Sequence, residues 1–119
     1  MANPFVHIEL HTQDPDKAKK FYSELFDWAL EEYTDMNYTI INVGEGTGGG
    51  IMKSPMPDAA PQWVPYVLVD DVAASTEKAK SLGATVLEGL TEIPDMGWFS
   101  MLVDPTGAAF ALWKPKMPK

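Results

Sequence analysis

Phe5-Val6-His7-Ile8-Glu9-Leu10-His11 runs into Asp14-Pro15-Asp16-Lys17-Ala18, and a fainter copy of the same passage stands at Val64 to Ala74. In the first copy Phe5, His7, Glu9 and His11 fall on one face and Val6, Ile8 and Leu10 on the other. That period of two marks a half-buried strand. Asp14 suits a helix N-cap and Pro15 the first helical position. Ala18, Phe21, Tyr22, Leu25 and Phe26 then recur at helical spacing, with Lys17, Lys19, Lys20 and Glu24 mostly on the wet side. An offset of 57 residues pairs His7 with Val64, Asp14 with Asp71 and Leu25 with Leu82. The chain therefore reads as two similar halves that suggest a shared cleft, and one half keeps a histidine where the other offers valine.

Working outward, strands are expected near Trp28 to Tyr33, Asn37 to Val43 and Gly50 to Lys53, then a linker marked by Pro55, Pro57 and Pro61. Val64 to Val69 reads as a buried strand and Asp71 as an N-cap. Val72, Thr76, Ala79 and Leu82 give a short helix that Gly83 ends in the left-handed conformation. Strands near Thr85 to Ile93, Trp98 to Val103 and Ala109 to Trp113 complete the second half. Each half is strand, helix, strand, strand, strand. The fold class is α+β, with a single domain over 1–119 made of modules 1–57 and 58–119.

At 119 residues the chain suits one compact domain, and 45% apolar with 22% charged residues is ordinary for a globular protein. No apolar run approaches a membrane span, and Met1-Ala2-Asn3-Pro4 lacks the basic-then-apolar order of a signal peptide. Cysteine is absent, which a reducing cytoplasm, the expected location, accommodates. The net charge is −8, and all nine basic residues are lysine. Nucleic acid needs a positive stripe, and carboxylates or phosphates are best gripped by arginine forks; neither exists here. Both points argue against a polyanionic ligand.

Several passages resemble the vicinal oxygen chelate superfamily of glyoxalases, bleomycin-resistance proteins and extradiol dioxygenases. They are His7-Ile8-Glu9, Asp14-Pro15 with Lys20-Phe21-Tyr22 and Leu25-Phe26-Asp27-Trp28, Gly48-Gly49-Gly50-Ile51-Met52-Lys53, Pro65 to Val72, Ile93 to Phe99, and Asp104-Pro105-Thr106-Gly107. The match covers nearly the whole chain, closest to a glyoxalase-related branch. The resemblance implies two βαβββ modules whose mostly antiparallel sheet curves around a shared cavity, and a homodimer. It also implies metal ligands on the first and last strand of each module. Those positions here are His7 and Val64, then approximately Met52 and Ala111, of which only His7 suits a hard divalent ion. Where the family has glycine after the first helix this chain has Asp27, a residue that tolerates the left-handed conformation.

The chemistry rests on few groups. His7 and His11 lie roughly 13 Å apart along a strand, too far to share one ion, whereas His7 and Glu9 at about 7 Å could share an ion or a proton. The plainer reading makes His11 a solvated strand end, His7 a cavity wall and Glu9 a hydrogen-bond acceptor; if Glu9 instead sits in an apolar cavity, it is fitted for proton transfer. Gly44-Glu45-Gly46-Thr47-Gly48-Gly49 matches a dinucleotide fingerprint in letters, but it leads into a strand and Pro55 rather than a helix, so it reads as a strand connection. By strand parity Tyr66 joins Val64 and Trp113 joins Ala111 on the expected cavity wall, with Trp98 at its mouth; ordinary packing would place aromatics there equally well. Both histidines lie on one strand, so no nucleophile triad forms.

Three readings of function stay open at this stage. One is a protein that binds a small apolar or aromatic molecule with no cofactor, lined by His7, Glu9, Met52, Val64, Tyr66, Trp98, Ala111 and Trp113. Another is an isomerase or lyase with His7 and Glu9 as catalytic candidates and a divalent metal as an optional helper. A non-catalytic assembly module is a third. Glyoxalase activity itself is disfavoured, because the family's glyoxalases grip glutathione's carboxylates with arginines and this chain has none.

Overall fold

The computed structural model describes residues 2–116 and contains the expected elements in the expected order. They are β1 (Phe5–Thr12), α1 (Pro15–Leu25), β2 (Ala29–Tyr33), a 3-10 turn (Thr34–Met36), β3 (Tyr38–Asn42), β4 (Gly49–Lys53), β5 (Gln62–Leu68), α2 (Val72–Ser81), β6 (Thr85–Ile93), β7 (Gly97–Val103) and β8 (Ala109–Pro115). The chain forms two compact units, Val6–Val64 and, with the N-terminal residues, Pro65 onward. The division falls after Val64. The N-terminal residues join the second unit because the Asn3 side chain donates to the Leu68 carbonyl at 2.8 Å and the Leu68 amide donates to Pro4 at 3.0 Å.

The first unit orders its strands β2-β3-β4-β1 and the second, read the same way, β6-β7-β8-β5. In each unit the first strand runs parallel to the last, and the remaining neighbours are antiparallel. Two βαβββ modules of one topology are therefore present, and the fold is α+β.

Local chemistry explains the elements. The Asp14 carboxylate accepts the Lys17 amide at 3.1 Å and Asp71 accepts that of Ala74 at 3.0 Å, each satisfying a donor at a helix start. Gly83 ends α2 at φ +106, where an L side chain would be strained. Asp27, by contrast, is not at positive φ: α1 ends through an extended Phe26 at φ −122. The missing family glycine is thus not needed there. Asp104 organises the β7–β8 turn, accepting from the Thr106 amide and hydroxyl and from the Ala108 amide at 2.7–3.1 Å. These bonds, the Thr106 hydroxyl first, hold its carboxyl below the usual range.

Each module buries one sheet face under its helix. In the first unit Leu10, Ile41 and Ile51 are enclosed with Ala18 and Tyr22 of α1 packed on them. In the second, Val69, Leu102 and Leu112 meet Val72 of α2, with Ala79 and Val86 around them. Each such side chain contributes about 1.5–3 kcal/mol by leaving water. Because side chains alternate along a strand, burying Leu10 under α1 turns His7, Glu9 and His11 to the helix-free face. That alternation positions the site.

Candidate functional site

Glu9 is 4% exposed and His11 3%, so the strand end expected to be wet is buried. A carboxylate and two imidazoles on one strand face need partners, and the fold supplies one that strand periodicity does not reveal. Tyr38, the first residue of β3, reaches across β4 and donates its hydroxyl to Glu9 Oε2 at 2.6 Å. His11 Nε2 lies 2.7 Å from Glu9 Oε1, and His7 Nε2 lies 2.7 Å from the Tyr38 hydroxyl. His7 and Glu9 themselves are 4.0 Å apart. The result is a chain His7–Tyr38–Glu9–His11 running from a side chain 27% exposed to one 4% exposed. The contacts to Glu9 have the short lengths of hydrogen bonds to a charged acceptor. No buried side-chain nitrogen or oxygen among the described residues lacks a partner.

Strand register explains how Tyr38 gets there. Glu9 pairs with Gly50 and Gly50 with Ile40, while His11 pairs with Met52 and Met52 with Tyr38. Gly50 contributes no side chain to the face, and the Tyr38 ring lies over it: a Cβ there would stand 1.9 Å from the hydroxyl oxygen.

Burial pushes the His7 imidazole below its ordinary value of 6.5, and the Glu9 carboxylate only partly opposes this. On acidification the unfolded chain therefore takes up this proton first. Stability owed to neutral His7 is whole above 6.5 and is lost as pH falls through 6.5 toward the lower folded value. We expect the urea midpoint to drop between about pH 7.5 and pH 5.5 by more in the wild type than in His7→Gln, which retains a donor for Tyr38 but does not titrate. Equal pH slopes in the two proteins would remove His7 as the source.

In the second unit the helix-free face is aromatic. Tyr66 pairs in register with Ala111 and lies 6.5 Å, edge to face, from Trp113 and 6.3 Å from Phe99. Trp98 is not with them. It faces α2, packs against the Val72 and Leu102 cluster and carries Lys116 Nζ 5.5 Å from its ring. Val64 and Ala111 are 0% exposed, so neither presents surface. Tyr38, His11, Gly50 and Phe99 are the residues that sequence reasoning left out of the site.

A separate cleft of about 210 Å³ lies in the first unit between Trp28 and Trp63, walled by Ile8, Ile41 and Val43. It opens on the α1 side and its walls are almost wholly apolar. Unlike the polar chain, this cleft lacks the few placed polar groups that orient a bound molecule.

Residues 5–112 match the Glyoxalase/Bleomycin resistance protein/Dioxygenase superfamily. The chain belongs to that superfamily. A Mycobacterium tuberculosis protein provisionally named as a glyoxylase, CFP32, is 37% identical to this superfamily member over 110 residues, 90% of this chain and 42% of that one. Anthracycline biosynthesis protein DnrV of Streptomyces peucetius is 33% identical over 90% of this chain and 45% of its own. The chain spans less than half the length of these curated relatives. A solved glyoxalase/bleomycin resistance protein/dioxygenase superfamily member from Vibrio splendidus shares the fold, with a TM-score of 0.70 at 13% identity over 97% of this chain and 100% of that one.

Membership raises the question of a metal ion, and the donor set does not fit one. On the 57-residue offset Glu9 corresponds to Tyr66, so the register makes Ala111 the counterpart of Gly50 and Trp113 that of Met52. Met52 and Ala111, expected to be equivalent, are not, because the second half carries a longer stretch between its first and last strands. Under either pairing the last-strand positions offer glycine and alanine or a thioether and an indole, and none is a ligand for a hard cation. Nor do His7, Glu9 and His11 present a shared pocket. Their facing atoms are engaged with Tyr38 and with one another, and no group of three or more His, Asp or Glu among the described residues is arranged to hold an ion. Among the described residues no helix is long and apolar enough to cross a membrane.

Proposed function

We propose that this glyoxalase/bleomycin-resistance-superfamily protein binds a small, fairly apolar or aromatic molecule without a resident metal, with His7 and Glu9 as its polar anchors. One observation carries the reading: a buried carboxylate is linked through Tyr38 to His7, the part-exposed member of the chain. Scarce positive charge argues for an uncharged ligand. The relative named for anthracycline biosynthesis makes an aromatic ligand class a reasonable first choice.

The test is a titration of protein labelled with nitrogen-15 histidine by a panel of neutral one- to three-ring aromatics, 2-naphthol among them. At least one member should shift the His7 resonance saturably while moving His11 much less. A panel that leaves His7 unmoved would overturn the reading. Stoichiometric nickel, zinc, manganese or iron in protein purified without chelator would overturn its metal-free part.

The same link favours a second reading, an isomerase or lyase in which Glu9 carries a proton and His7 positions the substrate. It requires a bound ligand to exchange a carbon-bound hydrogen with deuterated solvent in the wild type and not in folded Glu9→Gln. Exchange that is absent, or equal in both proteins, would sink it.

A further inference from the structure

We infer that Tyr38 is the positioning residue of this site: its hydroxyl, admitted by the missing side chain of Gly50, bridges His7 to Glu9 and holds His7 as its Nε2–H tautomer. The inference rests on reading His7 and Glu9 as the polar anchors and adds what orients them.

Three observations support it. The first is distance. At 4.0 Å His7 and Glu9 do not touch, whereas the Tyr38 oxygen stands 2.7 Å from one and 2.6 Å from the other. The phenol also lies nearly parallel to the imidazole, at 20° with centroids 6.3 Å apart, so the ring pair is held as well as the hydrogen bond.

The second is the glycine. Gly50 is buried in β4 and does not have positive φ, so backbone freedom does not account for it. Space does. An added Cβ would stand 1.9 Å from the Tyr38 oxygen, 2.3 Å from Cζ and 2.7 Å from Cε2. Any side chain at 50 must move the ring end out of its place between the two anchors.

The third is proton accounting. A tyrosine hydroxyl has one proton, and a carboxylate only accepts. Tyr38 donates to Glu9, so its oxygen receives from His7, and His7 Nε2 therefore carries hydrogen. The tautomer follows from the network and is set before any molecule arrives. An imidazole fixed this way, 4.0 Å from a carboxylate, disfavours anions and suits uncharged ligands.

The experiment uses ligand-free full-length protein labelled with nitrogen-15 histidine, as wild type, Tyr38→Phe, Gly50→Ala and the double variant. In the wild type we expect His7 to show one protonated nitrogen, Nε2. In both single variants that pattern gives way to an average of the two tautomers, the double variant matches Tyr38→Phe, and His11 keeps its own pattern throughout. Proton on Nδ1 of His7 in the wild type would overturn the inference, as would a pattern unchanged in both single variants. If neither variant folds, 3-fluorotyrosine incorporated into the wild-type chain decides: His7 Nε2 should move, and an unmoved resonance counts against Tyr38. Because no ligand is present, the result is independent of the aromatic panel. A failed panel with the tautomer intact removes the binding reading alone, and the converse removes only the role of Tyr38.

Discussion

Replacing Glu9 with alanine should lower the folding free energy by about 3–5 kcal/mol, a large share of the roughly 5–15 kcal/mol a domain has. The carboxylate is 4% exposed and is the acceptor for both the Tyr38 hydroxyl and His11 Nε2. Removing it strands the His11 donor and takes away the acceptor that the Tyr38 hydroxyl uses, and a buried donor without a partner costs about 1–3 kcal/mol. His11, 3% exposed, has little access to water as a substitute. Glu9→Gln keeps the shape and one acceptor oxygen but turns an amide donor toward one of the two neighbours, so it should cost less, about 1–3 kcal/mol. Urea unfolding of the three proteins, compared by midpoint at constant m, measures the differences. An alanine cost below about 1 kcal/mol would falsify the enclosed network on which the site is built.

Gly49→Ala should be comparably damaging, at about 4 kcal/mol or more, for an unrelated reason. Its Cβ would stand 1.9 Å from the Ile8 carbonyl oxygen and 3.0 Å from the carbonyl carbon. Those are backbone atoms in the parallel β1–β4 ladder, where Ile8 pairs with Gly49, so no side chain can swing aside. The strands must part, and with them the face that carries Glu9. Gly46→Ala is the control from the same glycine-rich run. Nothing lies within 4 Å of its Cβ, and only its φ of +88 is unfavourable, a cost of about 1–2 kcal/mol. A folded Gly49→Ala as stable as Gly46→Ala would show that β1 and β4 do not approach as described. The pair also separates two meanings of a glycine-rich stretch: Gly44 and Gly46 turn the chain, whereas Gly49 and Gly50 let it pack.

Much of the fold was legible because its signals are local. Asp14 and Asp71 cap helices a few residues away, Gly83 terminates α2 at positive φ, and the alternation over residues 5–11 turns Leu10 toward α1. Each depends on neighbours within one or two turns or pleats. The site was less legible. His7 and Glu9 stood out as polar groups on a strand, but the same alternation is silent on what covers His11, and it left Tyr38 as one more strand aromatic. Trp98 is expected at the mouth of the cavity, and its parity within β7 places it on the α2 side instead. Asp27 was read against a family glycine whose conformation this chain does not adopt.

By itself the sequence determined the order of elements, their caps, the correspondence of the two modules, the superfamily and the absence of arginine. Only the tertiary structure decided that Tyr38 meets Glu9. That contact joins residues 29 positions apart through the registers of β1 on β4 and β4 on β3. A slip of one residue in either would send the side chains to the opposite face, and nothing local in the chain reports which register wins.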